Sequence, residues 1–229
     1  MCKNVPMSVK PQGVGNRAKN RAATERAIIE TAEQHLAKYG AAGLSLRKVA
    51  RDVGMVPSAL YRYFNGIDEL YTTLIVRAFE SQNAAAAKVA ATLPTSMRWE
   101  QQVDNALEIA KAIRNWAHAH PHFYALIYGS PVPGYKAPDI TIEPAAGVGK
   151  ILLQQFYVEK TNGDRFQWEI MLEQKILPEP IVAFWSGMYG IISFELFGHL
   201  KGTIEDTEGF FERSIMRALE ALRRELEEL

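Results

Sequence analysis

The chain is expected to be all-α, with a three-helix N-terminal head and a larger helical body. Three observations lead there. Apolar residues recur at helical spacing in successive segments; Val, Ile and Thr do not gather into alternating runs; and Gly and Pro fall between the segments. A composition of 48% hydrophobic and 23% charged residues over 229 positions supplies enough apolar material for such a core and argues against disorder.

The elements follow in order. Residues 1–20 hold two prolines, two glycines and no periodicity, and are expected to form a mobile basic arm. A first helix is expected over 24–40, with Ala27, Ile28, Thr31, Ala32, His35, Leu36 and Tyr39 on one face and Gly40 as its breaker. Ser45 offers an N-cap to a short helix through 53, with Leu46, Val49, Ala50 and Val53 facing inward. Gly54 ends it. Pro57, tolerated in a first helical turn, opens another short helix reaching Phe64. A longer helix spans 67–91, with Leu70, Leu74, Ile75 and Phe79 inside. Further helices are expected over 97–119, 121–128, 142–159, 166–175, 180–200 and 207–226, and a Pro/Gly-rich loop over 129–138. The organisation is then an arm (1–20), a head (21–66) and a body (67–229).

The net charge of zero hides an asymmetry. Residues 1–66 carry 11 basic and four acidic side chains, so arm and head together are +7, balanced by a body of −7. Polyanion affinity follows the local field, so overall neutrality does not exclude a nucleic-acid partner. The single cysteine, Cys2, rules out an intrachain disulfide, and the N-terminus has no apolar signal core, so a cytoplasmic location is expected. The most apolar stretch, 181–197, is interrupted by Ser186, Gly187, Gly190, Ser193 and Glu195, which argues against a membrane span. No nucleophile–histidine–acid pattern, phosphate loop or carboxylate pair stands out, so neither an enzyme nor a cofactor is expected.

The string LRKVARDVGMVPSALYRYF at 46–64 has what a helix-turn-helix requires. Ala50 is small enough for two short helices to cross closely, and Gly54 permits the tight turn. Pro57, Ser58, Ala59, Tyr61 and Arg62 then face outward, and a second helix with small residues at its N-terminal end enters a major groove without a clash. Ser45, Tyr61 and Tyr63 are candidate phosphate donors, Arg47 supplies charge, and Arg62 is the candidate base reader.

Residues 24–74, with this string and the Asp68-Glu69-Leu70 that follows, resemble the N-terminal domain of the TetR family of transcriptional regulators. The resemblance implies three DNA-binding helices, a helical ligand-binding and dimerisation domain, and a dimer on a palindromic operator. It also implies a repressor released by a small molecule. Two positions depart from the family pattern: Val56 stands where a polar cap is usual, and Ile67 where a lysine is usual. Arg17, Lys19 and Arg21 of the arm are candidates to replace that lost charge in or near the minor groove.

In the body, WAHAHPHFYALIYGSPVPGYKAP at 116–138 resembles the WHG-type C-terminal subgroup of the same family. Trp116, His120, Phe123, Tyr124, Tyr128, Trp185 and Tyr189 are candidates to line a pocket for a hydrophobic or aromatic effector. His118, His120 and His122 suggest a metal site, but Pro121 interrupts the helix between them and no carboxylate or cysteine completes the set. The segment 180–200 is apolar nearly all round, and 207–226 carries one apolar stripe. Phe184, Met188, Ile191, Ile192, Phe211, Ile215, Leu219 and Leu222 are therefore candidates for a four-helix homodimer interface. The leading expectation is a dimeric repressor that binds a double-stranded operator. The rivals are a helical ligand-binding or enzymatic protein whose head no longer binds DNA specifically, which only Ile67 favours, and a sequence-indifferent DNA binder.

Overall fold

The computed structural model describes residues 13–96, 98–156 and 179–227, and every regular element among them is helical. The head is α1 (Gly13–Tyr39), α2 (Leu46–Asp52) and α3 (Pro57–Leu60), and α4 (Ile67–Ala90) runs from it into the body. The body continues with α5 (Trp99–Ala119), α6 (Pro121–Tyr128), α7 (Ile142–Ala145), α8 (Gly147–Leu153), α9 (Glu179–Leu196) and α10 (Thr207–Glu227). None of the described helices is long and apolar enough to cross a membrane.

In the head, Ile28, Ala32 and Leu36 of α1 recur every four residues and are buried with Val49, Ala50, Leu60 and Phe64. Gly40 (φ 68°) ends α1, and Gly54 (φ 78°) makes the turn between α2 and α3; both occupy the left-handed region that favours glycine. Ala50 has no exposed surface, and its carbonyl accepts the Met55 N–H at 2.8 Å across the turn. His35 of α1, also buried, donates from Nε2 to the Asp52 carboxylate at the end of α2 (2.7 Å).

Three expectations are corrected. α1 begins at Gly13, so residues 13–20 of the supposed mobile arm are its first turns. No proline follows Pro11 there, and extending an already nucleated helix through Arg17, Ala18 and Lys19 needs no buried face. The helix expected over 142–159 is two short ones, α7 and α8. Gly147 opens α8 where α4 approaches so closely that a Cβ would lie 2.2 Å from the Asn83 amide. The helix expected over 166–175 lies outside the described residues.

The third correction concerns the association surface. Phe184, Met188, Ile192, Phe211, Ile215, Leu219 and Leu222 are buried within the protomer, and Ile191 is half-buried. The stripe of α10 faces α5 and α9 of its own chain. The open face of α9 instead carries Val182, Ala183, Ser186, Gly187, Gly190 and Phe194, with Phe197 beyond it and Met216 exposed on α10.

A buried ion pair ties α5 to α9. Arg114 donates from Nε (2.8 Å) and from a terminal nitrogen (2.6 Å) to the two carboxylate oxygens of Glu195, whose side chain is 7% exposed. His118 lies 3.3 Å from the same carboxylate. Burial raises the Glu195 pKa, but hydrogen bonds from Arg114, Thr207 and His118 outweigh it and hold the group at about 2. The folded value is below the ordinary 4.5, so this stabilisation is present above pH 4.5 and is lost as pH falls toward 2. Glu195→Ala, which strands the Arg114 charge, is expected to cost about 3–5 kcal/mol at pH 7. Urea unfolding checks this, and a variant within 1 kcal/mol of the parent (on the order of RT) contradicts it.

Candidate functional site

The head exposes most of the candidate DNA-binding residues. Arg47, Pro57, Ser58, Tyr61 and Arg62 are exposed, and Ser45, Ala59 and Tyr63 are half-buried. Ser45 is the N-cap of α2 but makes no side-chain capping bond, which leaves its hydroxyl for another acceptor or donor. Val56, at the N-cap of α3, has no capping side chain and is 66% exposed. Pro57 brings no N–H to the α3 N-terminus, and the Ala59 N–H donates to the Val56 carbonyl at 2.9 Å. Ile67 is half-buried against the core, so the first turn of α4 presents packing where the family pattern has a charge.

The arm candidates divide. Arg17 and Lys19 are exposed on the outer turns of α1. Arg21 reaches back to the recognition segment: a terminal guanidinium nitrogen donates to the Arg62 carbonyl at 3.1 Å, and the guanidinium carbon sits 5.3 Å from the centre of the Tyr63 ring. It thereby satisfies a carbonyl just past the end of α3 and covers an aromatic face. Lys48 was not singled out from the sequence. It is exposed beside Arg47, with Nζ 5.3 Å from the centre of the Tyr39 ring.

In the body, the seven aromatic candidates form two groups. Trp116, His120 and Phe123 sit at the α5–α6 corner, with the His120 ring stacked between the other two at centroid distances of 5.5 and 6.3 Å. The Trp116 indole N–H donates to the Ser81 hydroxyl of α4 at 2.9 Å. Tyr124, Tyr128, Tyr189 and Trp185 form the second group: Tyr128 stacks on Tyr189 at 4.1 Å, and Trp185 stands edge-on to Tyr189 at 6.0 Å. Tyr124 donates to the Tyr189 carbonyl at 2.8 Å and pairs with the Ser193 hydroxyl. Burial raises the Tyr124 phenol to about 12 and pushes Tyr128 and Tyr189 higher still, so all three are neutral donors at physiological pH.

At the centre of this second group is Gln82 of α4. It is fully buried, and its Oε1 accepts from both Tyr128 (3.0 Å) and Tyr189 (3.1 Å). The sequence contained a signal for it, since a glutamine stands on the buried stripe Ile75, Phe79, Gln82, Ala86 where an aliphatic residue is the default.

The three histidines take separate partners: His118 goes to Glu195, His120 Nδ1 to the Trp116 carbonyl (3.0 Å), and His122 lies 3.8 Å from Glu33 of α1. Burial lowers the His122 pKa. Among the described residues no cluster of three His, Cys, Asp or Glu side chains is placed to hold a metal ion. Glu33 also meets Arg77 of α4 at 3.1 Å, so one head carboxylate touches both α4 and α6.

The family described as "Bacterial regulatory proteins, tetR family" matches residues 28–74, and "Tetracyclin repressor-like, C-terminal domain" matches residues 106–218. HTH-type transcriptional regulator Rv1816 of Mycobacterium tuberculosis is 36% identical over 208 residues, covering 81% of this chain and 86% of that protein. Regulatory protein SCO4313 has a crystal structure similar at a TM-score of 0.70, with 32% identity, 89% of this chain and 98% of that one covered. A TetR variant from Acinetobacter baumannii, in complex with minocycline, shares the fold at a TM-score of 0.52 and 13% identity, over 86% of this chain and 94% of that one.

Arg21 generates a prediction. Were its guanidinium bound to a DNA phosphate, Arg21→Ala would lower the salt slope of binding by about 1; a brace, once removed, weakens binding and leaves the slope unchanged. The bonds to Arg62 and Tyr63 lead us to expect the second result, an affinity loss of about 5- to 10-fold (~1–1.4 kcal/mol). Titrations across salt concentrations separate the two.

Proposed function

Because the chain belongs to the tetR family of bacterial regulatory proteins, we propose that it is a homodimeric repressor, binding a palindromic operator and released by a small hydrophobic or aromatic ligand. The observation that carries the reading is the exposed Tyr61–Arg62 surface at the end of a braced α3, within an N-terminal segment, residues 1–66, of charge +7. α3 enters the major groove, Arg62 reads a base edge, and Arg47, Ser45, Tyr61 and Tyr63 hold phosphates.

The homodimer is supported by the open face of α9. Val182, Phe194, Phe197 and Met216 are exposed large apolar side chains around a strip of Ala183, Ser186, Gly187 and Gly190 small enough for close helix approach. An exposed apolar face of this kind on one side of a helix needs a cover. Two heads about 34 Å apart then read successive major grooves. Ligand control is supported by α4, which contributes Leu70 and Leu74 next to the head and Gln82 to the aromatic group of the body. A ligand that shifts α4 changes the head spacing, and its effect is bounded by its differential affinity for the two spacings.

Three measurements test this. Footprinting of genomic fragments selected by the purified protein is expected to show a two-fold symmetric site; protection without symmetry, or affinity without a footprint, contradicts it. Arg62→Ala is expected to cost about 1–3 kcal/mol at particular base pairs, whereas Arg47→Ala weakens all sequences alike and lowers the salt slope by about 1. Phe194→Asp is expected to shift sedimentation from dimer to monomer, and an unchanged dimer sinks the α9 interface.

A further inference from the structure

The buried polar atoms around Gln82 specify more than an apolar pocket. The Gln82 carboxamide is saturated on one side only. Its oxygen accepts two tyrosine hydroxyls, while Nε2, equally buried, has no partner. The Trp185 indole N–H, in the same aromatic group, is also buried; it interacts with the Tyr189 phenol, whose ionised form it favours, but makes no hydrogen bond of good geometry. Buried N–H groups in folded proteins are nearly always paired, and here two unpaired donors flank one aromatic ring, that of Tyr189. What they lack is an acceptor.

The surroundings restrict its nature. Tyr128 stacks on Tyr189 at 4.1 Å, Phe79 meets Tyr128 edge-on at 6.1 Å, and Trp185 closes on Tyr189. These walls are flat and favour offset or edge contacts with another ring. Among the described residues the hydrogen-bond and ring partners of Gln82, Tyr128 and Tyr189 are all uncharged. A carboxylate or ammonium group would find no counter-charge in these partners, whereas a carbonyl would lose little on desolvation and gain the two donors.

We propose that the effector is a flat, uncharged aromatic ketone or quinone whose carbonyl oxygen accepts from Gln82 Nε2 and the Trp185 indole N–H. This rests on the ligand-controlled reading above and names the class of molecule for it. Gln82 lies one helical turn beyond Ala78 on α4, so a carbonyl held there bears directly on the helix that carries the head.

The test uses matched pairs that differ only in the carbonyl: 9-fluorenone with fluorene, and anthraquinone with anthracene. Equilibrium dialysis against the full-length protein measures each affinity. The ketones are expected to bind at least about tenfold more tightly than their hydrocarbons, the scale of one hydrogen bond between buried partners. Gln82→Met, close in shape, is expected to bring each ketone down to its hydrocarbon; Trp185→Phe, at a half-exposed position, is expected to remove part of the preference even should Gln82→Met not fold. Equal binding of ketone and hydrocarbon, no binding of either ketone, or a preference that persists in both variants overturns the proposal. DNA release by fluorenone, measured on the unaltered protein, is a separate readout. Its absence alongside Gln82-dependent binding would count against ligand-controlled repression and leave the ligand class standing.

Discussion

α4 has to satisfy two packing environments with one set of backbone hydrogen bonds. Leu70 and Leu74 near its start are buried where it leaves the head, and Ala78, Gln82 and Ala86 are buried in the body, where it packs against α5, α6, α7 and α8. Over 24 residues it spans about 36 Å. A helix of that length held along its course moves more readily as a unit than it bends, because bending breaks the ladder while tilting only repacks side chains. The remaining contacts fix that tilt. Glu33 links α1 to Arg77 and lies near His122 of α6, Tyr71 donates to the Ala41 carbonyl at 2.7 Å, and Gly147 lets α8 approach Asn83.

The head shows how small elements acquire a defined shape. α2 and α3 are too short to be stable alone, so their geometry is imposed from outside. Ala50 and Gly54 set the crossing, His35 holds the end of α2 through Asp52, and Arg21 ties the end of α3 to α1. The bond from His35 holds the Asp52 carboxyl below its ordinary range, so this contribution is present above that range and is lost as the carboxyl protonates in acid. The charges of Arg47 and Arg62 are therefore mounted on a support that is itself polar. That support compensates for an α3 with no side-chain cap.

The body separates its two polar devices by function. The Arg114–Glu195 ion pair, with His118 beside the same carboxylate, locks α5 to α9. Around Gln82 the groups are neutral and incompletely paired. A satisfied network rigidifies, and an unsatisfied one is a standing demand for a partner. Both lie along α9, whose opposite face is open and apolar, so the state of the aromatic group and that of the α9 surface share one helix.

The sequence by itself was sufficient for the fold class, for most helix positions and for the helix-turn-helix. These rest on local physics: the 3.6-residue repeat, the Gly and Pro breakers, and a short string in which Ala50, Gly54 and Pro57 stand at fixed offsets. It also contained the aromatic candidates, though not their division into two groups. Where it misled, the deciding term was non-local. An apolar stripe such as Phe211, Ile215, Leu219 and Leu222 has the same period whether it faces its own α5 or a second chain, so only the tertiary structure placed it inside and left Val182 and Phe194 outside. The early start of α1 was missed because a helix extension can persist without a buried face. For the head, the helix-turn-helix was legible from residues 45–64, but its dependence on Arg21, 41 positions before Arg62, was not. Likewise Gln82 reads as one polar residue on an apolar stripe until folding brings Tyr128 and Tyr189, 46 and 107 residues away, onto the same oxygen. Hydrogen bonds at such separations have no periodicity to betray them, and only the packed chain decides them.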